Sequence, residues 1–173
     1  GTESNGLYIY SENWKLKKHV PIDGIIATIL PDNNGDIWLG LDETGICLFN
    51  KNKQTFTWLH KDNTNLNNNS IRTFVSYGDS SILVGTFRGL NILNKKELTI
   101  TPANINIAGK GGLSHYSIHS MLIDKDQTLW IGTYSAGVNY HSPFYRPVSY
   151  ITPNEYAGFI GKGQQDKDEI GRA

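Results

Sequence analysis

Histidine and carboxylate pairs are the first residues in this 173-residue chain whose spacing could support chemistry. His115 and His119 lie four positions apart, which on a helix would suit a shared metal ion. The surrounding sequence predicts a strand instead, where this spacing puts them on one face but about 13 Å apart. We therefore expect no metal and no cofactor. Asp42 and Glu43 are adjacent, so their side chains point apart and do not suit the carboxylate pair of a glycosidase.

Other catalytic patterns are absent from the sequence. The glycine-rich stretches 109–112 and 158–163 do not have the Gly-x₄-Gly-Lys-Ser/Thr spacing of a phosphate-binding loop. No Gly-x-Ser-x-Gly string is present to mark a hydrolase serine. The single cysteine, Cys47, excludes an internal disulfide and any cysteine-built metal site. It is predicted to be a small buried apolar residue, and no catalytic residue is assigned.

Composition narrows the functional classes further. The chain has 16 Lys+Arg and 16 Asp+Glu, without a basic run, which argues against nucleic-acid binding. Its apolar stretches are far shorter than the roughly 20 residues that span a bilayer, and its first residues are polar, so neither a membrane segment nor a signal peptide is expected in it. We therefore expect no direct membrane contact by this portion. Charged residues are 18%, against roughly 25% in typical proteins, and glycine is abundant, which favours short strands joined by turns.

An internal repeat is the strongest feature of the sequence. A first glycine recurs at positions 1, 40, 85 and 132 and a second at 6, 45, 89 and 137. A period of about 40 to 50 residues is typical of four-stranded propeller blades. We expect the two glycines to bracket a hairpin that needs tight turning or positive φ, and the tryptophans to pack between blades. The structural repeat anchors are Trp38, Gly40, Gly45, Gly85, Gly89, Trp130, Gly132 and Gly137.

The predicted fold is all-β, built of four-stranded antiparallel propeller blades, and is an incomplete portion of a larger propeller. Within the repeats, first strands are predicted at 25–30, 71–76 and 118–123, and last strands at 55–59, near 98–101 and at 147–151. Residues 1–19 are predicted to be the last two strands of a blade, followed by blades at 20–60, 61–107 and 108–151. Residues 152–173 either begin a further blade or form a disordered tail.

The repeated string resembles the two-component regulator propeller repeat. The pattern is Asp-x-x-Gly-x-Ile/Leu-Trp-Ile/Leu-Gly-Thr, followed by Gly-Leu/Ile-x-x-Tyr/Phe-Asn. The second unit departs from it with Leu83 at the tryptophan position and a shorter turn. The matching residues are Asp32, Gly35, Trp38, Gly40, Gly45, Ile46 and Phe49 in the first full unit, Gly85, Thr86, Gly89, Leu90 and Asn91 in the second, and Asp124, Trp130, Gly132, Thr133, Gly137 and Asn139 in the third.

Such repeats form the periplasmic sensor region of Bacteroides-type hybrid two-component system proteins, in which rings are typically seven-bladed. The resemblance implies a non-enzymatic, extracytoplasmic sensor that responds to glycan-derived oligosaccharides and signals to a histidine kinase elsewhere in a longer protein. The expected partners are the remaining blades, an oligosaccharide ligand and a second copy in a homodimer or other self-association. A protein-interaction scaffold is the alternative, and a propeller lyase or glycosidase is a third hypothesis.

If a ligand site exists, propeller architecture predicts its position. The loops between the second and third strands, and those leading into the next blade, should meet on one face. Aromatic rings beside hydrogen-bonding groups in those loops would suit a sugar or other polar ligand, although the same residues could be ordinary solvated loop residues. The candidate ligand-binding residues are Asp42, Glu43, Phe87, Arg88, His115, Tyr116 and Tyr134.

Overall fold

The computed structural model of the chain describes residues 1–103, 112–142 and, by backbone alone, 149–151. These residues form strands and connections, and none of them lies in a helix that is long and apolar enough to cross a membrane. The strands are β1 (Leu7–Tyr10), β2 (Leu16–Val20), β3 (Ile26–Pro31), β4 (Ile37–Leu41), β5 (Gly45–Asn50), β6 (Thr55–Leu59), β7 (Ile71–Tyr77), β8 (Ser81–Thr86), β9 (Gly89–Asn94), β10 (Ile100–Pro102), β11 (Ile118–Ile123), β12 (Leu129–Thr133), β13 (Val138–His141) and β14 (Ser149–Ile151).

The strands form three four-stranded antiparallel sheets, each in chain order, and one two-stranded sheet. We call β1 and β2 the N-terminal hairpin, β3–β6 blade 1, β7–β10 blade 2 and β11–β14 blade 3. The predicted all-β fold of propeller blades is confirmed. The last strand of blade 2 is displaced from its predicted place, because Leu98 has a φ of 55° and belongs to the preceding turn. Residues 147 and 148 of the last predicted strand, and the whole of 152–173, lie outside the described residues.

Apolar side chains form a separate core in each gap between neighbouring sheets. Trp38 is 1% exposed and packs with Ile71 and Phe74 of blade 2, as predicted for a residue between blades. Leu83, which replaces tryptophan in blade 2, is buried in the same way with Ile118 of blade 3. Trp130 is only half-buried and lies 5.5 Å from the ring of Tyr140 of its own sheet. Neighbouring sheets therefore bury apolar faces against each other, as expected for stacked repeats.

The first strands of the three blades, β3, β7 and β11, lie side by side. Their side chains are not covered on both faces. Alternate residues of β3 remain exposed, and β11 is mostly exposed or half-buried. Only β7 has a described first strand on each side of it, so more of its side chains are covered. Burial on both faces is found in the second and third strands, such as β4 and β5.

The two glycines of each repeat have different physical roles. The second glycine has positive φ, at 100° in Gly45, 116° in Gly89 and 81° in Gly137, as predicted. The expectation of tight turning is wrong for the first glycine, which lies in a strand without positive φ. A Cβ on Gly85 would lie 2.7 Å from Cγ2 of Ile118 in the next blade. The first glycine therefore allows the next blade's first strand to approach closely.

Candidate ligand-binding site

The loop face of the propeller is held together by one repeated backbone hydrogen bond. In each repeat, the second residue after the first glycine donates its N–H to a carbonyl in the connection that leads into that blade. The bonds join Asp42 to Ile25 at 2.9 Å, Phe87 to Ser70 at 3.0 Å and Tyr134 to Ser117 at 3.0 Å. The two kinds of loop therefore meet on one face, as the repeat predicted.

A buried polar network fixes the long connection 60–70 against blade 2. Asn67 Oδ1 accepts hydrogen bonds from Thr86 Oγ1 and from Asn91 Nδ2, both at 2.8 Å. The Asn67 N–H donates to Asn91 Oδ1 at 3.2 Å. Thr86 and Asn91 are fully buried, so these bonds satisfy groups that water does not reach. Blade 3 has a corresponding set, in which the side chains of Ser114 and Asn139 bond at 2.9 Å.

Three of the predicted site residues come together as a row of rings. The centroids of Phe87 and Tyr116 are 6.5 Å apart with an interplanar angle of 78°, an edge-to-face contact. His115 stacks on Tyr116 at 4.4 Å and 24°. Phe87 and Tyr116 are each 42% exposed, so these rings present both apolar surface and polar edges to solvent.

Arg72, which is not among the residues predicted for the site, extends this row to blade 1. Its Nη1 lies 3.4 Å from Oδ2 of Asp42, and its guanidinium carbon lies 6.0 Å from the Phe87 centroid. The residue belongs to β7 and not to a loop, which is why a search of loops missed it. The available signal was that this arginine is the only charged residue in its strand. We call Asp42, Arg72, Phe87, Tyr116 and His115 the loop-face row.

The hydrogen bonding of His115 determines its donor atom. The backbone N–H of Ser117 donates to His115 Nδ1 at 3.0 Å. The neutral ring therefore carries its proton on Nε2, which remains the ring's donor. The row thus combines a guanidinium, a carboxylate and an imidazole N–H with two aromatic side chains, a set that can bind a polar molecule with ring-shaped apolar faces.

The remaining candidates lie on the same face without joining this row. Glu43 is exposed with a φ of 63°, and Tyr134 is 74% exposed. The backbone N–H of Arg88 donates to Thr86 Oγ1 at 3.0 Å, which fixes the hairpin turn. Within the described ranges, no ring contact or ion pair connects these three residues to the loop-face row.

Neither metal binding nor a reactive thiol is indicated on this face. Among the described residues, no group of three or more His, Cys, Asp or Glu side chains is placed to hold a metal ion. Cys47 is fully buried in the core beside the N-terminal hairpin, as predicted. Burial raises the pKa of its thiol to about 12, which keeps it protonated at neutral pH.

Comparison with known proteins identifies the repeat. Residues 112–135 match the family model described as two component regulator propeller. This match confirms the resemblance on the third repeat, which carries Trp130 and Gly132. Among curated proteins, none matches the sequence.

Solved structures share the fold at low sequence identity. The extracellular domain of BT3049 from B. thetaiotaomicron, a hybrid two component system by its description, is 18% identical with a TM-score of 0.70, over 91% of this chain and 20% of that one. The extracellular domain of BT4673 from the same organism is 17% identical with a TM-score of 0.67, over 91% and 24%. Virginiamycin B lyase from Staphylococcus aureus is 11% identical with a TM-score of 0.63, over 87% and 49%. The chain therefore spans about a fifth to a quarter of the two extracellular domains.

Proposed function

We propose that this chain is part of an extracytoplasmic, periplasmic ligand-sensing propeller of a hybrid two-component system. In this proposal the sensor responds to glycan-derived oligosaccharides and signals to a histidine kinase in the same protein. The portion described by the sequence binds and does not catalyse. Its partners are the remaining blades of the ring and a second copy of the sensor.

The loop-face row is the observation that carries this proposal. It runs continuously from Asp42 of blade 1, through Arg72 and Phe87 of blade 2, to Tyr116 at the start of blade 3. A ligand lying along it would touch residues from three sheets at once. Sugar rings present apolar faces and hydroxyl edges, which suit aromatic rings next to a guanidinium and a carboxylate. Binding would therefore fix the positions of neighbouring blades relative to one another.

The comparisons support the sensor class over the two alternatives. The matched repeat model and two of the similar structures, those of BT3049 and BT4673, are described as belonging to two-component systems, whereas two other similar structures are lyases. Low identity makes the structural likeness one of fold, which propellers of many functions share. A scaffold without a small ligand would present the same face to a protein partner.

Calorimetric titration of the chain with a panel of glycan fragments tests the proposal. We expect one fragment class to bind and Tyr116→Ala to weaken it by about tenfold, as expected when an aromatic contact is lost. Tyr77→Ala is the matched control, because Tyr77 is 52% exposed at the end of β7, away from the loop face. Equal effects of both variants would remove the loop-face row from the proposal.

Three further observations separate the sensor from the scaffold and the lyase. Binding of a protein partner, with no heat from any glycan, would favour the scaffold. Turnover of quinupristin by the chain would favour the lyase. A membrane span followed by kinase motifs in the full-length gene is the expected result for a sensor, and a stop codon shortly after Ala173 would contradict it.

A further inference from the structure

The gap between the N-terminal hairpin and blade 1 differs from the gap between blades 1 and 2. The connection from β2 to β3 is only residues 21–25, whereas the connection from β6 to β7 is residues 60–70. The longer connection buries Leu66 in the same core as Ile100 of β10. The shorter one leaves the flank of blade 1 uncovered.

The uncovered flank exposes aromatic residues where blade 2 has a closed surface. Phe56 pairs with Phe49 as Ile100 pairs with Leu93, so Phe56 and Ile100 are equivalent positions. Ile100 is 2% exposed, but Phe56 is 41% exposed. Trp58, on the same face of β6, is 36% exposed. Among the described side chains, this exposure of Phe56 and Trp58 is found in the gap with the short connection.

The result is a side cleft of about 580 Å³, a volume in the range of small-molecule sites. Its floor is apolar, and its polar groups are a carboxylate, a hydroxyl and an imidazole. The ring of Phe56 is held in place by stacking on buried Phe49 at 5.2 Å. The lining residues are Pro21, Ile22, Asp23, Thr44, Phe56, Trp58 and His60.

Two features of the lining select the charge of a ligand. The carboxylate of Asp23 is its acidic group, and no lysine or arginine is among the described residues that line the cleft. Tryptophan and phenylalanine faces attract cations through the ring quadrupole, tryptophan most strongly. The chain already uses this attraction next to the cleft, since Lys18 Nζ lies 5.6 Å from the centroid of Phe49.

We propose that the side cleft binds a small organic cation, an ammonium group that carries an apolar body. Trp58 and Phe56 contact the apolar body and the cation face, and Asp23 supplies the counter-charge. The cleft shares no residue with the loop-face row, so this site is separate from the oligosaccharide site proposed above.

Titration with choline and with its neutral isostere 3,3-dimethyl-1-butanol, followed by NMR of tryptophan indole N–H signals, tests the charge requirement. We expect choline to shift the Trp58 signal saturably and the isostere to bind at least about tenfold more weakly. Asp23→Asn is expected to remove most of this preference. Because Asp23 is exposed, this variant keeps the fold.

Trp58→Ala and Trp14→Ala provide a matched pair, because Trp14 is 84% exposed in the turn of the N-terminal hairpin and does not line the cleft. Choline affinity, measured by calorimetric titration, should fall at least about tenfold in Trp58→Ala and stay unchanged in Trp14→Ala. Unshifted Trp38 and Trp130 signals report an intact fold. Binding of the isostere as tightly as choline, binding of glucose in place of choline, or no saturable shift would each overturn the proposal.

Discussion

Trp130 donates its indole N–H to Oδ2 of Asp124 at 2.8 Å, and Asp124 lies six residues earlier in the chain. Trp38 and Asp32 repeat the same bond at 3.2 Å and the same spacing. Each bond ties the turn between the first two strands of a blade to the ring that packs in or towards the next gap. Asp32 also accepts from Lys95 Nζ of blade 2 at 3.1 Å, so in blade 1 the turn is fixed across the blade boundary.

Removal of the Asp32 carboxylate is expected to destabilise the chain. Asp32→Ala leaves the Trp38 indole N–H and the Lys95 ammonium without their partner, which costs about 1 to 3 kcal/mol in the free energy of unfolding. Urea denaturation of the variant and the parent chain measures this loss. Asp79→Ala is the control, since Asp79 occupies the corresponding turn of blade 2, where Leu83 offers no indole. An equal loss in both variants would contradict a specific role for the bond.

The same carboxylates predict a pH dependence of stability. Burial alone would raise the pKa of Asp32, but hydrogen bonds from Trp38, the Asn33 amide and Lys95, together with the charge of Lys95, outweigh it and lower the pKa. Hydrogen bonds from Trp130 and from the Thr128 amide lower the pKa of Asp124. Because both values are lower in the folded state, the unfolded chain binds more protons in this range.

The stability that these two carboxylates contribute should therefore be fully present above about pH 4, the pKa of an aspartate in the unfolded chain. It should be lost as the pH falls through their lower pKa values in the folded chain. Thermal melts of the chain and of Asp32→Asn at about six pH values between pH 2 and pH 7 test whether stability falls on acidification. The variant should show the smaller loss on acidification. A variant that loses as much as the parent chain would contradict the prediction.

Adding a methyl group at the first glycine should separate inter-blade packing from local turn effects. In Gly85→Ala the new Cβ meets Cγ2 of Ile118 and of Thr73, both at 2.7 Å, and overpacking of this kind costs about 1 to 3 kcal/mol. In Gly132→Ala the close contact is Ser120 Oγ, a side-chain atom that can rotate away. Gly132→Ala should therefore cost less in chemical denaturation, and the opposite order would refute the packing argument.

A double-mutant cycle refines this test. Ile118→Ala removes the methyl group that Gly85→Ala would meet, so the two changes together should destabilise less than the sum of the single changes, by about 0.5 kcal/mol or more. Strict additivity would show that the two residues do not limit each other's space.

The amide network of connection 60–70 should control how often that connection opens. Asn91→Ala removes both side-chain bonds between Asn91 and Asn67, a loss of about 1 to 3 kcal/mol for buried partners. Hydrogen exchange at the Asn67 amide should accelerate by about tenfold or more, while core amides of β4 change less. Uniform acceleration across the chain would indicate global destabilisation instead.

Cys47 offers a direct report of unfolding. It is fully buried and the pKa of its thiol is raised to about 12, so a thiol reagent at pH 8 should react only with the unfolded chain. Labelling against urea concentration should follow the unfolding curve measured by tryptophan fluorescence. Rapid labelling without denaturant would show that the gap between the N-terminal hairpin and blade 1 opens locally.

The sequence by itself determined the repeat and therefore the fold. Glycines at fixed spacing, the aspartate six residues before Trp38 and Trp130, and short apolar runs were enough to predict four-stranded blades, because each is a local requirement of a turn or a strand. The predicted order of strands and the meeting of loops on one face followed from that architecture.

Tertiary structure alone decided the role of the first glycine and the position of Arg72. Gly85 leaves space for the side chain of Ile118, which lies 33 positions later in the chain, and no local sequence pattern predicts that contact. Arg72 joins Asp42 of one blade to Phe87 of its own, and this contact depends on how two sheets stack. The side cleft likewise forms where the short connection 21–25 lies beside Phe56 and Trp58, which are distant from that connection in the chain. Turn and strand residues that are close in the sequence determine the blades. The surfaces that could bind a ligand depend on how neighbouring blades pack against each other.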